Sequence, residues 1–407
     1  MTKWESSQLG EVLTLQRGFD LPLQNRKVGK VPIVASTGIV GHHNEHKVIG
    51  PGVVIGRSGS IGGGQFIPKD FWPLNTTLWV KDFKGNDARY CYYLLKNIDF
   101  STYNVGSGVP TLNRNHIHPH PVMSPPLAEQ GAIASMLGAL DDKIENNQRM
   151  NETLEEMARA IFKSWFVDFD PVHAKASGNA PAHMDADTAA LFPSSFGADG
   201  LPEGWKEKPL YNIATFINGA AYKNMHFCDP KDGLPVVKII ELKNGISSQT
   251  KFTNTDLGAK YKISSGEIFF AWSGSPKTSI NTFIWPYGDG WLNQHIFAIK
   301  ENGFATLAYI YFQMKALNPT FIAIATDKQT TGLGHVTVRD MKEMLVISAP
   351  DKIKKQFEQV AAPLFEKIKL NLSESQTLAE LRDILLPKLM SGEIRVAGAE
   401  REVEEAV

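Results

Sequence analysis

Residues 55–64 read IGRSGSIGGG, with glycine at five of ten positions directly after the apolar run Val53-Val54-Ile55. A strand that runs into glycines is how a phosphate cradle begins, because bare backbone amides close on an anion. This stretch fails the tests for one. It contains neither GxxxxGK[ST] nor G-x-G-x-x-G with a following helix and a distal acid. It reads instead as a tight turn between strands, where glycine supplies unusual backbone angles or allows close approach to a ligand. Two other sets have the right residue types for chemistry. His42, His43 and His46, with His116, His118 and His120, could suit a metal, and Asp232 with Glu241-Leu242-Lys243 imitates a carboxylate–lysine catalytic pattern.

The bulk composition narrows the classes. At 407 residues there is room for two or three domains, and 43% hydrophobic with 21% charged residues is ordinary for globular protein. No stretch approaches about 18–20 uninterrupted apolar residues, and the first residues, MTKWESSQLGEV, lack an apolar signal region, so a cytoplasmic protein is expected. Cys91 and Cys228 are the only cysteines, which suits a reducing compartment and excludes a disulfide framework or a cysteine-rich zinc site. The net charge of −1 hides an asymmetry. Residues 1–124 carry 13 Lys and Arg against 8 Asp and Glu, and 204–350 carry 15 against 11. The intervening 125–203 (5 against 13) and the final 351–407 (9 against 11) are acidic. Two basic blocks of this kind suit a polyanionic partner, though a solvated surface would carry the same balance.

The chain is written twice. W4…LGEVLTLQRG answers W205…LYNIATFING at an offset of 201, and VPIV at 31–34 answers LPVV at 234–237 at 203. RSGS at 57–60 answers WSGS at 272–275 at 215, NTTLWV at 75–80 answers NQHIFA at 293–298 at 218, and SPP at 124–126 answers SAP at 348–350 at 224. From there the offset holds through Leu140/Leu364, Ile144/Ile368, Leu154/Leu378 and Ile161/Leu385. The globular parts therefore vary in loop length while the segment after each S-x-P does not, the pattern of divergent recognition surfaces on a common spacer. The second copy of the glycine loop, FFAWSGSPKTSI, keeps only Ser-Gly-Ser, which again argues against a phosphate cradle.

Each globular part reads as short strands broken by Gly, Pro and Asn, with strands expected at Val31–Ala35, Gly52–Gly56, Thr77–Val80, Val236–Ile240, Glu267–Trp272 and Ile296–Lys300. A helix recurs at 87–97 and 305–317. After Pro126 the apolar spacing becomes 4-3: Ile133, Leu137, Leu140, Ile144, Leu154, Ala158, Ile161 and Trp165, with Asn147 and Asn151 in the same seam. The second copy gives Phe357, Ala361, Leu364, Ile368, Leu378, Leu385 and Leu389, with Asn371, Ser375 and Arg382 as its polar positions. Such spacing predicts two long helices paired as a coiled coil, each about 60 Å long. Pro363 predicts a kink near the start of the second helix and Pro387 fraying near its end. The stretch 168–203, rich in Ala, Gly, Pro, Ser and Asp, reads as a linker. The expected fold class is α+β, two mixed α/β domains each followed by a long helix, with an internal pseudo-twofold.

These features resemble the specificity (S) subunit of type I restriction-modification enzymes over nearly the whole chain. The segments FKSWFVDFDPVHAK at 162–175, LRDILLPKLMSGEIRV at 381–396, PPLAEQ at 125–130 and the W…LGEV opening carry the likeness. The second spacer departs from it, opening APDKIKKQ in place of PPLAEQ. The resemblance implies target recognition domains at 1–124 and 204–350, spacer helices at 125–167 and 351–392, the linker at 168–203 and a C-terminal tail at 393–407. Each recognition domain would read one half of a bipartite, asymmetric double-stranded DNA site. The antiparallel helices would act as a ruler for the unread gap. Two methyltransferase (M) subunits would dock on the chain and motor-nuclease (R) subunits would join them. The chain itself would be non-catalytic, with no cofactor and no metal of its own; S-adenosylmethionine would belong to the M subunits, ATP and magnesium to the R subunits. Half-sites facing one side of the duplex lie about one turn, or ~10 bp, apart, a span that a rigid helix pair of this length matches.

Reading bases in the major groove needs Arg, Lys, Asn, Gln, Ser or Thr on loops or strand ends. The first domain offers Arg57, Ser58, Ser60, Asn75, Thr76, Asn113, Arg114 and Asn115; the second offers Ser273, Ser275, Lys277, Gln294, His295, His335 and Arg339. Arg26, Lys27, Lys30, Lys223, Lys243 and Lys251 are candidates for phosphate contacts. Each residue also fits a solvated turn. The positions answering His116, His118 and His120 are Asp340, Lys342 and Met344, so the repeat builds no matched metal site. The first-half counterpart of the Glu-Leu-Lys pattern falls near Ser36-Thr37-Gly38, which lacks it. A self-contained methyltransferase is disfavoured because SPPL at 124–127 lacks both the amide and the ring of [ND]PP[YF]. A coiled-coil adaptor with two protein-binding domains is the alternative to a DNA reader.

Overall fold

A computed structural model describes residues 4–329 and 332–406. The chain divides into two units, one of residues up to Ile144 together with those from Thr377, the other of Glu145–Gln376. In the first unit the run Val53-Val54-Ile55 is wholly buried within strand Gly52–Gly56. That strand lies inside a four-stranded antiparallel sheet in the order Thr14–Arg17, Thr77–Asp82, Gly52–Gly56, Gly62–Ile67. Helix Ala88–Lys96 packs on it. The Asp87 carboxylate starts that helix by accepting the Tyr90 N–H, and its inner face buries Tyr90, Cys91, Tyr93, Leu94 and Leu95. A smaller sheet pairs Val31–Ala35 antiparallel to Gly38–His43 and parallel to Trp72–Pro73, while Glu5–Gln8 closes against Pro121–Ser124.

The second unit repeats the plan. Thr215–Asn218, Ile296–Lys300, Ile268–Ala271 and Asn281–Ile284 form a four-stranded sheet in the same order. Helix Leu307–Ala316 stands where Ala88–Lys96 stands in the first, and Thr306 replaces Asp87 as its cap. Lys206–Pro209 pairs with Leu345–Ser348 as Glu5–Gln8 does with Pro121–Ser124. The strand expected at Val236–Ile240 is shorter: Leu234–Val237 is extended, and helix Ile239–Asn244 follows at once. The buried Glu241 explains the switch, because its carboxylate accepts the Lys238 N–H at 3.0 Å and the Thr250 hydroxyl at 3.1 Å. The second copy also inserts helix Asn318–Asp327 before the strand Gly334–His335.

Two long helices, Leu127–Phe166 and Asp351–Ser391, contribute to both units and pair antiparallel in each. In the first unit Ile133, Leu137 and Leu140 share a core with Leu378, Leu381, Leu385 and Leu389. Arg382 pairs there with Asp141 at 2.7 Å, and Asp141 also accepts the Tyr93 hydroxyl at 2.6 Å. In the second unit the seam is amide-rich: Asn147 donates to Glu374 at 2.8 Å, and Asn371 to Asn151 at 2.8 Å. Asn147 and Asn371 are buried, and polar seam residues of this kind fix register. The second helix runs unbroken through Pro363 and Pro387 to Ser391, and no fraying follows Pro387. Burial of Leu385, Leu386, Leu389 and Met390 holds that end together.

Two stretches read as unstructured are built into cores. Residues 168–203 include helices Asp170–Ala176 and Ala186–Ala190, and Val172 and Phe192 are buried among Phe162, Trp165, Phe166, Trp205 and Phe357. Lys175 ties the segment by donating to the Ala189 carbonyl at 2.9 Å. The tail forms helix Val396–Ala406, with Ala399 fully buried. Glu129 of PPLAEQ accepts the Trp4 indole N–H at 3.1 Å and pairs with Arg395, whose guanidinium lies over the Trp4 ring.

Candidate nucleic-acid interface

The glycine loop of the first unit links strands Gly52–Gly56 and Gly62–Ile67. Its backbone is clamped from two sides. The Arg57 N–H donates to the Thr76 carbonyl at 2.8 Å, the Gly59 N–H to Pro110 at 3.0 Å, and the Arg57 carbonyl accepts the Leu112 N–H at 2.8 Å. Gly59 takes a φ of +83°, which is why the Ser-Gly-Ser turn keeps its glycine. The clamp carries Arg57 into a cleft of about 350 Å³ lined also by Arg17, Arg114, Asn113, Thr111 and the apolar Leu78, Val105 and Leu112. Arg57 Nη1 donates to the Asn75 carbonyl at 3.2 Å. Arg17 meets Asp20 at 3.6 Å, and the Asn75 amide also donates to Asp20. Asn113 caps the short helix Arg114–Ile117 by accepting the Asn115 N–H at 3.0 Å.

The second unit rebuilds the two bonds that hold the Arg57 backbone. The Trp272 N–H donates to the His295 carbonyl at 3.2 Å, and its carbonyl accepts the Val336 N–H at 2.8 Å. Gly274 takes a φ of +123° where Gly59 sits in the first copy. Ser273 pairs with His335 as Ser58 bridges Thr111. The side chains differ. Trp272 stands in place of Arg57, its indole N–H donates to Asn218 at 2.9 Å, and its ring meets His295 at 5.0 Å. Asn218 occupies the place of Arg17, since it pairs with Phe297 as Arg17 pairs with Leu78. Thr337 caps helix Val338–Glu343 where Asn113 caps the first, so Val338 answers Arg114.

Similarity to known proteins fits this paired architecture. The family profile of the type I restriction modification DNA specificity domain matches residues 1–156. The type I restriction enzyme MjaIX specificity subunit of Methanocaldococcus jannaschii is 28% identical over 338 residues, covering 80% of this chain and 74% of that relative. The HindI specificity subunit of Haemophilus influenzae is 28% identical over 309 residues, 65% of this chain and 67% of that one. The chain is thus similar to type I specificity subunits in sequence. The type I restriction-modification S subunit of M. genitalium, a crystal structure, shares the fold, with a TM-score of 0.55 at 16% identity over 96% of both chains. Both relatives are specificity subunits of type I restriction enzymes, and the matched profile describes a DNA specificity domain.

The strand registers correct one detail of the repeat. Phe19 bridges Leu74 in parallel as Ala220 bridges Asn293, and Ile33 pairs with Trp72 as Val236 pairs with Trp291. The offset there is 219, one more than letter matching gives, so the counterpart of Asn75 is Gln294 and that of Thr76 is His295. Of the sequence candidates, Arg57, Asn113 and Arg114 share the first cleft, and the Asn75 backbone borders it. The Thr76 hydroxyl is turned to the Ser36 N–H, while Ser60 and Asn115 are exposed. Ser273, His335 and His295 gather around Trp272. Ser275 precedes helix Pro276–Ser279, and Gln294 and Lys277 are exposed. Arg339 is engaged by Glu343 at 2.7 Å. Arg26, Lys27, Lys30, Lys223, Lys243 and Lys251 line neither group. Arg17, Asn218 and Trp272 are additions; the first two precede Gly18 and Gly219 in the repeated LQRG and FING.

The other chemical candidates have structural duties. His43 is buried, and its Nδ1 accepts the Lys27 N–H at 3.0 Å; His118 Nε2 accepts the Leu15 N–H at 3.0 Å; His120 contacts the Tyr103 hydroxyl at 2.6 Å. Among the described residues no three His, Cys, Asp or Glu gather as a metal site. Glu241 is a buried helix cap, which removes it from any arrangement with the exposed Asp232. Burial pushes the Cys91 thiol up to about 12, as befits a packing residue. No helix among the described residues is long and apolar enough to cross a membrane.

Proposed function

We propose that residues 1–124 and 204–350 are two target recognition domains, each reading one half of a bipartite asymmetric DNA site from the faces around Arg57 and Trp272. The supporting observation is that the same two backbone bonds hold Arg57 in one domain and Trp272 in the other: a fixed frame with exchanged readers suits two unlike half-sites. The spacers at 125–167 and 351–392 set the gap and dock two M subunits, with R subunits joining the assembly. The segments 168–203 and 393–407 brace the domains against the spacers. The chain supplies no catalytic group in this reading. S-adenosylmethionine works in the M subunits, ATP and magnesium work in the R subunits, and the complex operates in the cytoplasm.

The test is co-expression with the neighbouring methyltransferase in a methylation-free host, followed by genome-wide mapping of modified bases. A gapped, two-part motif that vanishes when this chain is omitted is the expected result. A continuous motif, or modification that persists without the chain, would overturn the proposal and favour an adaptor.

A further inference from the structure

The cleft of the first domain carries the inference furthest. We infer that Arg57 reads a guanine in the half-site taken by this domain, flanked by Arg17 and Arg114; this rests on the reading of residues 1–124 as a half-site reader. Arg57 is held before any ligand arrives. Its N–H and carbonyl are fixed on opposite sides, to Thr76 and Leu112, and its guanidinium is steered by the Asn75 carbonyl at 3.2 Å. A fork fixed in this way loses little freedom on binding. Its charge is also unspent. Among the described residues Arg57 and Arg114 form no ion pair, and Arg17 meets only the exposed Asp20 at 3.6 Å.

The question is whether such a fork meets a phosphate or a base. Guanine offers O6 and N7 side by side in the major groove, the acceptor pair that a guanidinium matches bidentately. The apolar walls Leu78, Val105 and Leu112 suit a flat edge entering between them. The second domain decides against a generic phosphate anchor. Where Arg57 stands, that copy has Trp272, and Asn218 and Val338 take the places of Arg17 and Arg114. A contact needed merely to hold the duplex would be cationic in both copies; one that reads sequence is free to change.

The experiment uses the full chain co-expressed with its methyltransferase, comparing wild type, Arg57→Gln and Arg57→Lys by modified-base mapping and by oligonucleotide competition with the purified complexes. One G·C position in one half-site is expected to become tolerant in both variants, with discrimination there falling about 10- to 100-fold. The gap and the other half-site stay as they are. Lysine keeps the charge and loses the fork, so a phosphate anchor would instead keep its motif in Arg57→Lys and weaken evenly at raised salt; that result overturns the inference. So does a relaxed position that is an A·T pair, or an unchanged motif in both variants. Should Arg57→Gln modify no site, competition by the Arg57→Lys complex decides: lost preference for G upholds the inference and retained preference overturns it. A two-part wild-type motif that survives in both variants strikes the role of Arg57 alone, whereas a continuous wild-type motif strikes the half-site reading beneath it.

Discussion

The face around Arg57 is built of arginines and that around Trp272 of an aromatic ring held by an amide, yet two matching backbone hydrogen bonds hold each. Arg17, Arg57 and Arg114 correspond to Asn218, Trp272 and Val338. The parallel bridges, the turn glycines and the helix caps recur at matching places. The difference teaches where a duplicated domain is free to diverge. Backbone groups inside the sheet have one solution each, because an unmade buried hydrogen bond is costly. Side chains on the outer edge of the clamp are under no such constraint.

The frame is the place to break this likeness hardest. Gly18 and Gly219 press against opposing backbone: a Cβ would stand 2.2 Å from the Leu74 carbonyl oxygen in one copy and 2.0 Å from that of Asn293 in the other. Gly18→Ala and Gly219→Ala are expected to cost about 3 kcal/mol or more each, since backbone must shift. Hydrogen exchange should show each loss in its own domain, at strands Thr14–Arg17 or Thr215–Asn218. Equal loss in both domains from one substitution would contradict two separately framed copies.

A smaller asymmetry sits where each long helix begins. Gln130 is buried, accepts the Asp87 N–H at 3.0 Å and donates to Asn86 at 2.7 Å and the Pro125 carbonyl at 2.9 Å. Its counterpart Lys354 donates to the Phe304 carbonyl at 2.6 Å, with its ammonium over the Phe304 ring at 4.0 Å. Gln130→Leu strands three partners and is expected to lose about 1–3 kcal/mol. Lys354→Met keeps the stem volume but gives up one bond to the Phe304 carbonyl and a pair with the exposed Asp351 at 2.9 Å, so it should cost about 1 kcal/mol, less than Gln130→Leu. Denaturant midpoints of the two variants measure the difference, and a costlier Lys354→Met would reverse the ranking. Trp272→Ala tests the faces rather than the frame. Discrimination in the second half-site should fall about tenfold with the first half unchanged, read from the same modified-base maps.

Much of the frame is legible in the sequence. The strands Val31–Ala35, Gly52–Gly56 and Ile296–Lys300 begin and end where alternation and turn residues put them, and Asn147 and Asn371 fall on the seam that they occupy. Register is not legible. NTTLWV and NQHIFA align on a shared asparagine, but polar letters recur easily in turns, and it takes the strand pairings, such as the bridge from Ala220 to Asn293, to show the slip of one. Composition misleads over 168–203 because a few buried residues, Pro171, Val172, Thr188 and Phe192, suffice to anchor a polar segment. Proline misleads at the end of the second helix because burial around Pro387 outweighs the lost hydrogen bond. Arg17 joins the cleft through strand pairing with Leu78, a long-range contact that no local pattern announces.

The finest distinction between the copies is their response to acid. His118 Nε2 accepts the Leu15 N–H, a role open only to the neutral ring, and burial, then Arg114 and Lys84, holds its pKa below the ordinary histidine value. The unfolded chain therefore takes up the proton more readily than the folded one. Stability from this contact is full above about pH 6.5, declines as pH falls below it, and levels off beneath the lowered folded value. The second copy has Lys342 at that position, exposed and beside the Tyr211 ring. Between about pH 7 and 5.5, strand Thr14–Arg17 should lose exchange protection, corrected for intrinsic rates, while Thr215–Asn218 keeps its own. His118→Gln, whose amide oxygen accepts without titrating, should flatten the response. Parallel losses in both strands, or a slope unchanged by the glutamine, would place the acid sensitivity elsewhere and leave the two frames alike in this respect as well.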